Sequence, residues 1–304
     1  MLDIHKTFDK KPRRKFQLFL AFAALTIFFV LSLAQSRSIS VGYLFPTIRS
    51  PHVSLDMTMK SVVARANDVE LKNGKTETLS VDSGRPLAEA ITILEVRFGS
   101  AITYEDPPYA YAGDISDVTN TVRRDLDKFK PGKAPRVLVP KGGKFDFIVL
   151  ANADRVPDQG RTLERLLHDY EATSKSARFR LEATADTFHV IPIAARNAFG
   201  RLEPKRPILD AKLTLSEKER TGLQEIRDFC AEVTRVTGVK TVMGTVPTAL
   251  ASYRQRYGVT NAVARTTLAE ILQRAKAGQR LSWRLLYDPG MKMYVLNIHA
   301  VEKR

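Results

Sequence analysis

Four stretches of this chain place apolar residues on one side of a helix. Leu87, Ile91, Leu94 and Phe98 recur at helical intervals, and so do Leu163, Leu166, Leu167 and Tyr170. The same spacing returns at Leu223, Ile226, Cys230 and Val233, and again at Leu268, Ile271, Leu272 and Ala275. At 3.6 residues per turn such positions share a face, so each stretch predicts an amphipathic helix. Pro86 suits a first helical turn, where its missing N–H costs nothing. Gly99, Gly238 and Gly278 follow the first, third and fourth helices and supply left-handed stops. Thr267-x-x-Glu270 predicts a capping box at the start of the fourth. A shorter helix is predicted over residues 117–129.

Each helix is trailed by strand-like residues: AITYE, then RFRLEATADTFHVIPI, then KTVMGTV, then LSWRLLYDPGMKMYVLNI. The second and fourth units match in detail. Phe179-Arg180-Leu181 corresponds to Trp283-Arg284-Leu285, and residues 189–193 correspond to 294–298. Asp288-Pro289-Gly290 marks the turn of the later hairpin. The pattern predicts an α+β fold made by tandem duplication of a small βαβ–αββ-type module, each copy a sheet with two helices on one face. The first module spans 76–200 and the second 207–304. An inserted loop, 107–143, rich in Pro, Gly and charge, distinguishes the first. Residues 197–207 read as a polar joint, with Gly142-Gly143-Lys144 a hairpin turn rather than a phosphate loop. Residues 35–75 read as a linker and a hairpin, whose turn is Asn73-Gly74 between Val69–Lys72 and Lys75 onward. Both turn residues tolerate the positive φ of a type I′ turn.

One apolar run is of another kind. FQLFLAFAALTIFFVLSLA fills residues 16–34, behind a basic cluster of Lys10, Lys11, Arg13, Arg14 and Lys15. That predicts export across a cytoplasmic membrane. Small residues at Ser32 and Ala34 fit a signal peptide cleaved after Ala34, which leaves a periplasmic or secreted protein. The length of the run also fits a retained membrane anchor, the alternative to cleavage.

The segment P-L-x-E-A-I-x-x-L-x-x-x-x-G at residues 86–99, with a short strand either side, resembles the short N-terminal (STN) domain of secretins and TonB-dependent receptors. Residues 267–298 are similar in outline. The resemblance implies a periplasmic docking and signalling module without catalysis. The stretch ITYEDPPYAYAGD also resembles a class of uncharacterised exported bacterial proteins, which implies a location and no activity.

Charge and candidate chemistry refine this picture. The chain carries a formal +15. Residues 1–34 hold six basic and two acidic groups, so +11 remains beyond them. A basic exported protein is drawn to anionic lipid or polysaccharide, and nucleic acid is not an expected partner outside the cytoplasm. The single cysteine, Cys230, excludes an internal disulfide and lies on a helix's apolar face.

Tyr104, Tyr109 and Tyr111 surround a rigid Pro107-Pro108 and are candidate binding anchors. Adjacent Glu105 and Asp106 point to opposite faces of an extended segment and make no acid–base pair. Lys128, Lys130, Lys133, Arg136, Lys141 and Lys144 form a basic run suited to phosphates or anionic headgroups. No His or Cys pair has metal-ligand spacing, no cofactor pattern is present, and no G-x-S-x-G element occurs. The expected function is therefore a non-enzymatic envelope docking or binding protein, whose partner is an envelope protein or polymer. Two alternatives stand beside it: a hydrolase of wall or surface polymers, and a polyanion or anionic-lipid binder acting through residues 128–144.

Overall fold

The computed structural model describes residues 76–130, 132–150, 156–184, 187–275 and 279–302. The export segment, the linker and the Asn73-Gly74 turn lie outside these residues, as does Gly278. In chain order the elements are β1 (Thr76–Ser83), α1 (Pro86–Phe98), β2 (Ala101–Glu105), β3 (Ile115–Asp117), α2 (Thr119–Val122), β4 (Leu138–Pro140), β5 (Gly143–Leu150), α3 (Val156–Thr173), β6 (Ala177–Ala183), β7 (Thr187–Arg196) and β8 (Leu202–Pro204). Then follow β9 (Lys212–Thr221), α4 (Gly222–Thr237), β10 (Thr241–Met243), α5 (Ala249–Ser252), β11 (Arg254–Val263), α6 (Ala264–Ala275), β12 (Arg280–Asp288) and β13 (Met293–Val301). The fold is α+β. Among the described residues no helix is long and apolar enough to cross a membrane.

The same pairings occur in both halves. β1 runs antiparallel to β5, and β9 to β11. β2 lies parallel to β7, which turns back on β6; β10 lies parallel to β13, which turns back on β12. In each half two helices sit between the two-stranded ladder and the trio of strands, closing one apolar cluster per half.

The halves do not keep separate sheets. β2 pairs in parallel with β12, so the strands form one seven-stranded sheet in the order β10-β13-β12-β2-β7-β6, with β8 beside β7. Corresponding strands of the two trios, β6 and β12, run in opposite directions while the trio order is kept. That relation turns the sheet over between the halves, so α1 and α3 cover one face and α4 and α6 the other. Side-chain alternation agrees. Trp283 and Leu285 pack into the second cluster, whereas Leu286 packs on the first and Arg284 bonds to Glu95 of α1. β2 is therefore buried at all five positions.

Several local expectations change for physical reasons. The fourth helix starts at Ala264, and Thr267 Oγ1 donates to the Val263 carbonyl inside it rather than capping it. A true capping box lies at Thr221 and Gln224 of α4. Leu223 is half-buried, because Gly222, Ile226, Phe229 and Val233 hold the inner face of α4. Residues 117–129 break into short pieces: the Asp117 carboxylate accepts from the Thr119 N–H, and β-branched Thr119, Thr121 and Val122 favour helix poorly. Gly142-Gly143 links two different ladders, β3–β4 and β1–β5, rather than two paired strands. Gly142 has φ +52°, and a Cβ there would lie 2.0 Å from the Ser83 carbonyl oxygen. Residues 197–207 fold as a tight turn leading into β8, which pairs with β7. The insertion packs back on the β12–β13 turn, with Leu138 against Gly290.

Candidate anion-binding cleft

The YEDPPY segment leaves β2 at the seam between the halves, and its carboxylates are spent there. Glu105 accepts from Arg265 of α6 at 2.7 Å and from the Ile208 N–H at 2.7 Å. Asp106 points the other way. Its carboxylate accepts from Arg85 Nε (2.7 Å), the Tyr104 hydroxyl (2.8 Å), the Tyr109 hydroxyl (3.3 Å) and the Tyr287 N–H (2.9 Å). Neither carboxylate is exposed, and their opposite directions fit the alternation of extended backbone.

A second buried set lies on the first half's face. Glu95 Oε2 accepts from Arg284 Nη2 at 2.9 Å and lies 2.5 Å from His299 Nε2, while Oε1 accepts from the Ile102 N–H at 2.8 Å. Burial opposes its charge, but Arg284 and His299 prevail and hold the carboxyl at about 2. Glu105 shows the reverse balance, burial raising its pKa despite Arg265. His189 bonds Thr103 Oγ1 through Nδ1 at 2.7 Å and stacks against Trp283. Burial, with the nearby Arg265 charge, pushes its pKa down to about 4, so it is neutral at neutral pH. The Cys230 thiol is buried and raised to about 12, far from nucleophilic.

A polar concavity of about 320 Å³ opens in the first half. The start of α1, the insertion, the 141–144 link, the end of α3 and β7 all contribute to it. Pro86, Phe145 and Tyr170 give it an apolar base, and Lys141, Lys144, Lys175 and Arg196 give it charge. Asp114 is the single carboxylate of the lining. It is bound by Arg196 through both nitrogens of a fork, one at 3.0 Å, and its backbone oxygen accepts from the Lys141 N–H at 2.8 Å. Burial raises the Asp114 pKa, with Arg196 and Lys141 opposing. Lys144 bridges Asp146 at 3.1 Å, whereas among the described residues no carboxylate lies within ion-pair distance of Lys141 or Lys175.

The end of α3 does not cancel this charge. Its Tyr170 carbonyl accepts from the Ser174 N–H at 2.7 Å and from Thr173 Oγ1 at 3.1 Å. Ser174 and Ser176 bond each other at 2.8 Å. The lining thus offers positive charge and a tyrosine wall. It gathers no pair of carboxylates and no base beside a nucleophile. Among the described residues no group of three His, Cys, Asp or Glu side chains gathers to hold a metal ion.

The sequence candidates separate accordingly. Tyr109 lines the cleft, as do Lys141 and Lys144. Tyr111 lies just behind its wall, with Arg196 over the ring at 5.0 Å. Tyr104 is a correction: it is 2% exposed, bonded to Asp106 and stacked on Phe179, so it presents no ring to a ligand. Lys128, Lys130, Lys133 and Arg136 are exposed on the outer part of the insertion, away from the cleft lining. Lys175, Arg196 and Asp114 were not legible as site residues, since only the return of β7 beside the insertion unites them.

No protein-family model, curated protein or solved structure matches this chain.

Proposed function

We propose that the chain is an exported envelope protein that binds without transforming what it holds, and that its cleft takes an anionic group. The carrying observation is the cleft's chemistry: Arg196 is bound to Asp114 and Lys144 to Asp146, which leaves Lys141 and Lys175 in the lining with no carboxylate at ion-pair distance among the described residues. Cations on a partly apolar base recognise phosphates or carboxylates by charge and hydrogen bonding. The net charge of +11 beyond residue 34 acts in the same direction.

A docking role also draws on the recurrence of β-α-β followed by β-α-β-β, which we read as a tandem duplication. That order contains the βαβ–αββ outline of the STN module, with an added strand before each second helix. The export reading of residues 1–34 supports a position outside the cytoplasm for both copies. A hydrolase acting through paired carboxylates draws no support from this cleft.

Binding of the full chain to anionic polymers and anionic vesicles, measured against salt, tests the reading. Salt-sensitive binding to at least one of them is expected. The triple variant Lys141→Glu, Lys144→Glu, Lys175→Glu should abolish it. Binding that ignores both salt and charge reversal would sink the proposal.

A further inference from the structure

Two exposed apolar residues stand beside the cleft. Phe199 is 86% exposed and Leu202 37%. Phe199 is not on a loose loop. The Asn197 side-chain oxygen accepts from the N–H groups of Phe199 (2.9 Å) and Arg201 (3.1 Å). The Asn197 N–H donates to the Arg201 carbonyl and the Gly200 N–H to the Asn197 carbonyl, both at 2.9 Å. Gly200, at φ +78°, supplies the left-handed residue this turn needs. The turn therefore holds an aromatic ring outward in a fixed place. Arg201, Lys205 and Arg206 are exposed along the same connection.

Tyr111 joins this turn to the cleft. Its ring lies 3.0 Å from where a Cβ on Gly200 would sit, and it packs against Gly113, a cleft-lining residue. Arg196, also lining the cleft, covers the ring. The projecting phenylalanine and the cleft lysines thus belong to one neighbourhood.

We infer that this neighbourhood docks on an anionic bilayer surface, with Phe199 entering the interfacial layer and Lys141, Lys144, Lys175 and Arg201 meeting lipid phosphates. The inference rests on the proposed anion-binding role of the cleft and names the source of the anion. A soluble polyanion satisfies the lysines but gives an apolar ring no reason to be held in water. A headgroup layer takes both, because aromatic rings settle at the interface and basic residues are attracted to an anionic surface.

The test uses the full chain carrying Phe199→Trp, with the parent chain, whose buried Trp283 supplies the background. Phosphatidylcholine vesicles with and without phosphatidylglycerol are the probes, and lipids brominated on their acyl chains report depth. Residues 16–34 are common to every sample, so dependence on lipid composition reads the docking face. The expected result is a blue shift and bromine quenching at position 199 in the anionic vesicles only. Reversal of the three lysines to Glu should reduce the docked fraction about tenfold or more. No quenching in anionic vesicles, or equal quenching in both kinds, overturns the inference. If soluble poly(glycerol phosphate) binds through the lysines while position 199 stays in water, the cleft reading stands and the bilayer inference falls. If charge reversal changes neither vesicle nor polymer binding, both fall.

Discussion

At the scale of single residues, two buried ion pairs cross the seam, each joining a carboxylate of the first half to an arginine of the second, and the partly exposed Arg180–Asp210 pair crosses it in the opposite sense. Glu95 meets Arg284 on one face of the sheet, and Glu105 meets Arg265 on the other. Such pairs add little over apolar packing while intact, yet removing one partner strands a buried charge. Glu95→Ala or Arg284→Ala should each destabilise the chain by about 3–5 kcal/mol. In urea titrations the double variant should cost well below the sum of the two.

His189 makes the pH prediction. Its folded pKa of about 4 lies below the ordinary 6.5. The unfolded chain therefore binds the proton first, and stability falls as pH drops from about 6.5 to 4. The loss is up to about 3 kcal/mol. Glu95, depressed from 4.5 to about 2, gives its own loss in a lower window, as pH falls through about 4.5 to 2. Urea midpoints at pH 7 and pH 4.5 should differ in the parent chain and differ less in His189→Gln. An unchanged difference would remove His189 from the account.

At the scale of elements, the periodic faces were legible. α1, α3, α4 and α6 lie where apolar spacing places them, and Gly99 and Gly238 end their helices at φ +62° and +70°. Four residues per helix do not fix the face to the last position, however. On α4 the sequence favours Leu223, yet Phe229 is fully buried and Leu223 half-buried, because the helix turns Gly222 inward against Leu250 of α5, where a Cβ would lie 2.9 Å from the Leu250 carbonyl oxygen. Phe229→Ala should therefore cost about 3–5 kcal/mol, and Leu223→Ala less than half of that, by thermal or urea unfolding. Equal costs would mean that the helix sits rotated from the described face.

What the pattern concealed was contact between elements distant in sequence. Thr103 and Glu105 alternate with Ile102 and Tyr104 as a water-facing set would, but the second half covers them. The cleft was legible in part for the same reason. Its lysines at 141 and 144 stand in a visible basic run, whereas Lys175 and Arg196 arrive from elements whose return path no local signal encodes.

At the scale of the whole molecule, the question is whether the two modules behave as one. Backbone pairing at the seam is short, Arg284 with Tyr104 and Leu285 with Glu105. It is reinforced by the two ion pairs, by Arg85 Nη2 donating to the Tyr287 carbonyl at 2.6 Å, and by Asp106 N–H donating to the Leu285 carbonyl at 2.8 Å. Separation would expose the edges of β2 and β12 together with four charged groups that are buried in the folded state. The first half alone would carry Glu95 and Glu105 without their arginines, and the second half would carry Arg284 without Glu95, while Arg265 would keep only Asp210. The chain is therefore expected to unfold in a single step, with Trp283 fluorescence and far-ultraviolet circular dichroism sharing one midpoint. Residues 76–206 and 207–304 produced separately should each be poorly folded, and mixing them should restore protected amides in β2 and β12 by hydrogen exchange. Two separated transitions, or a second half that folds alone to full stability, would mean that the modules are independent beads and that the seam is only a contact. The cleft and the Phe199 turn both lie in the first half, joined through Tyr111, which is the geometry that simultaneous engagement of headgroups and interface requires.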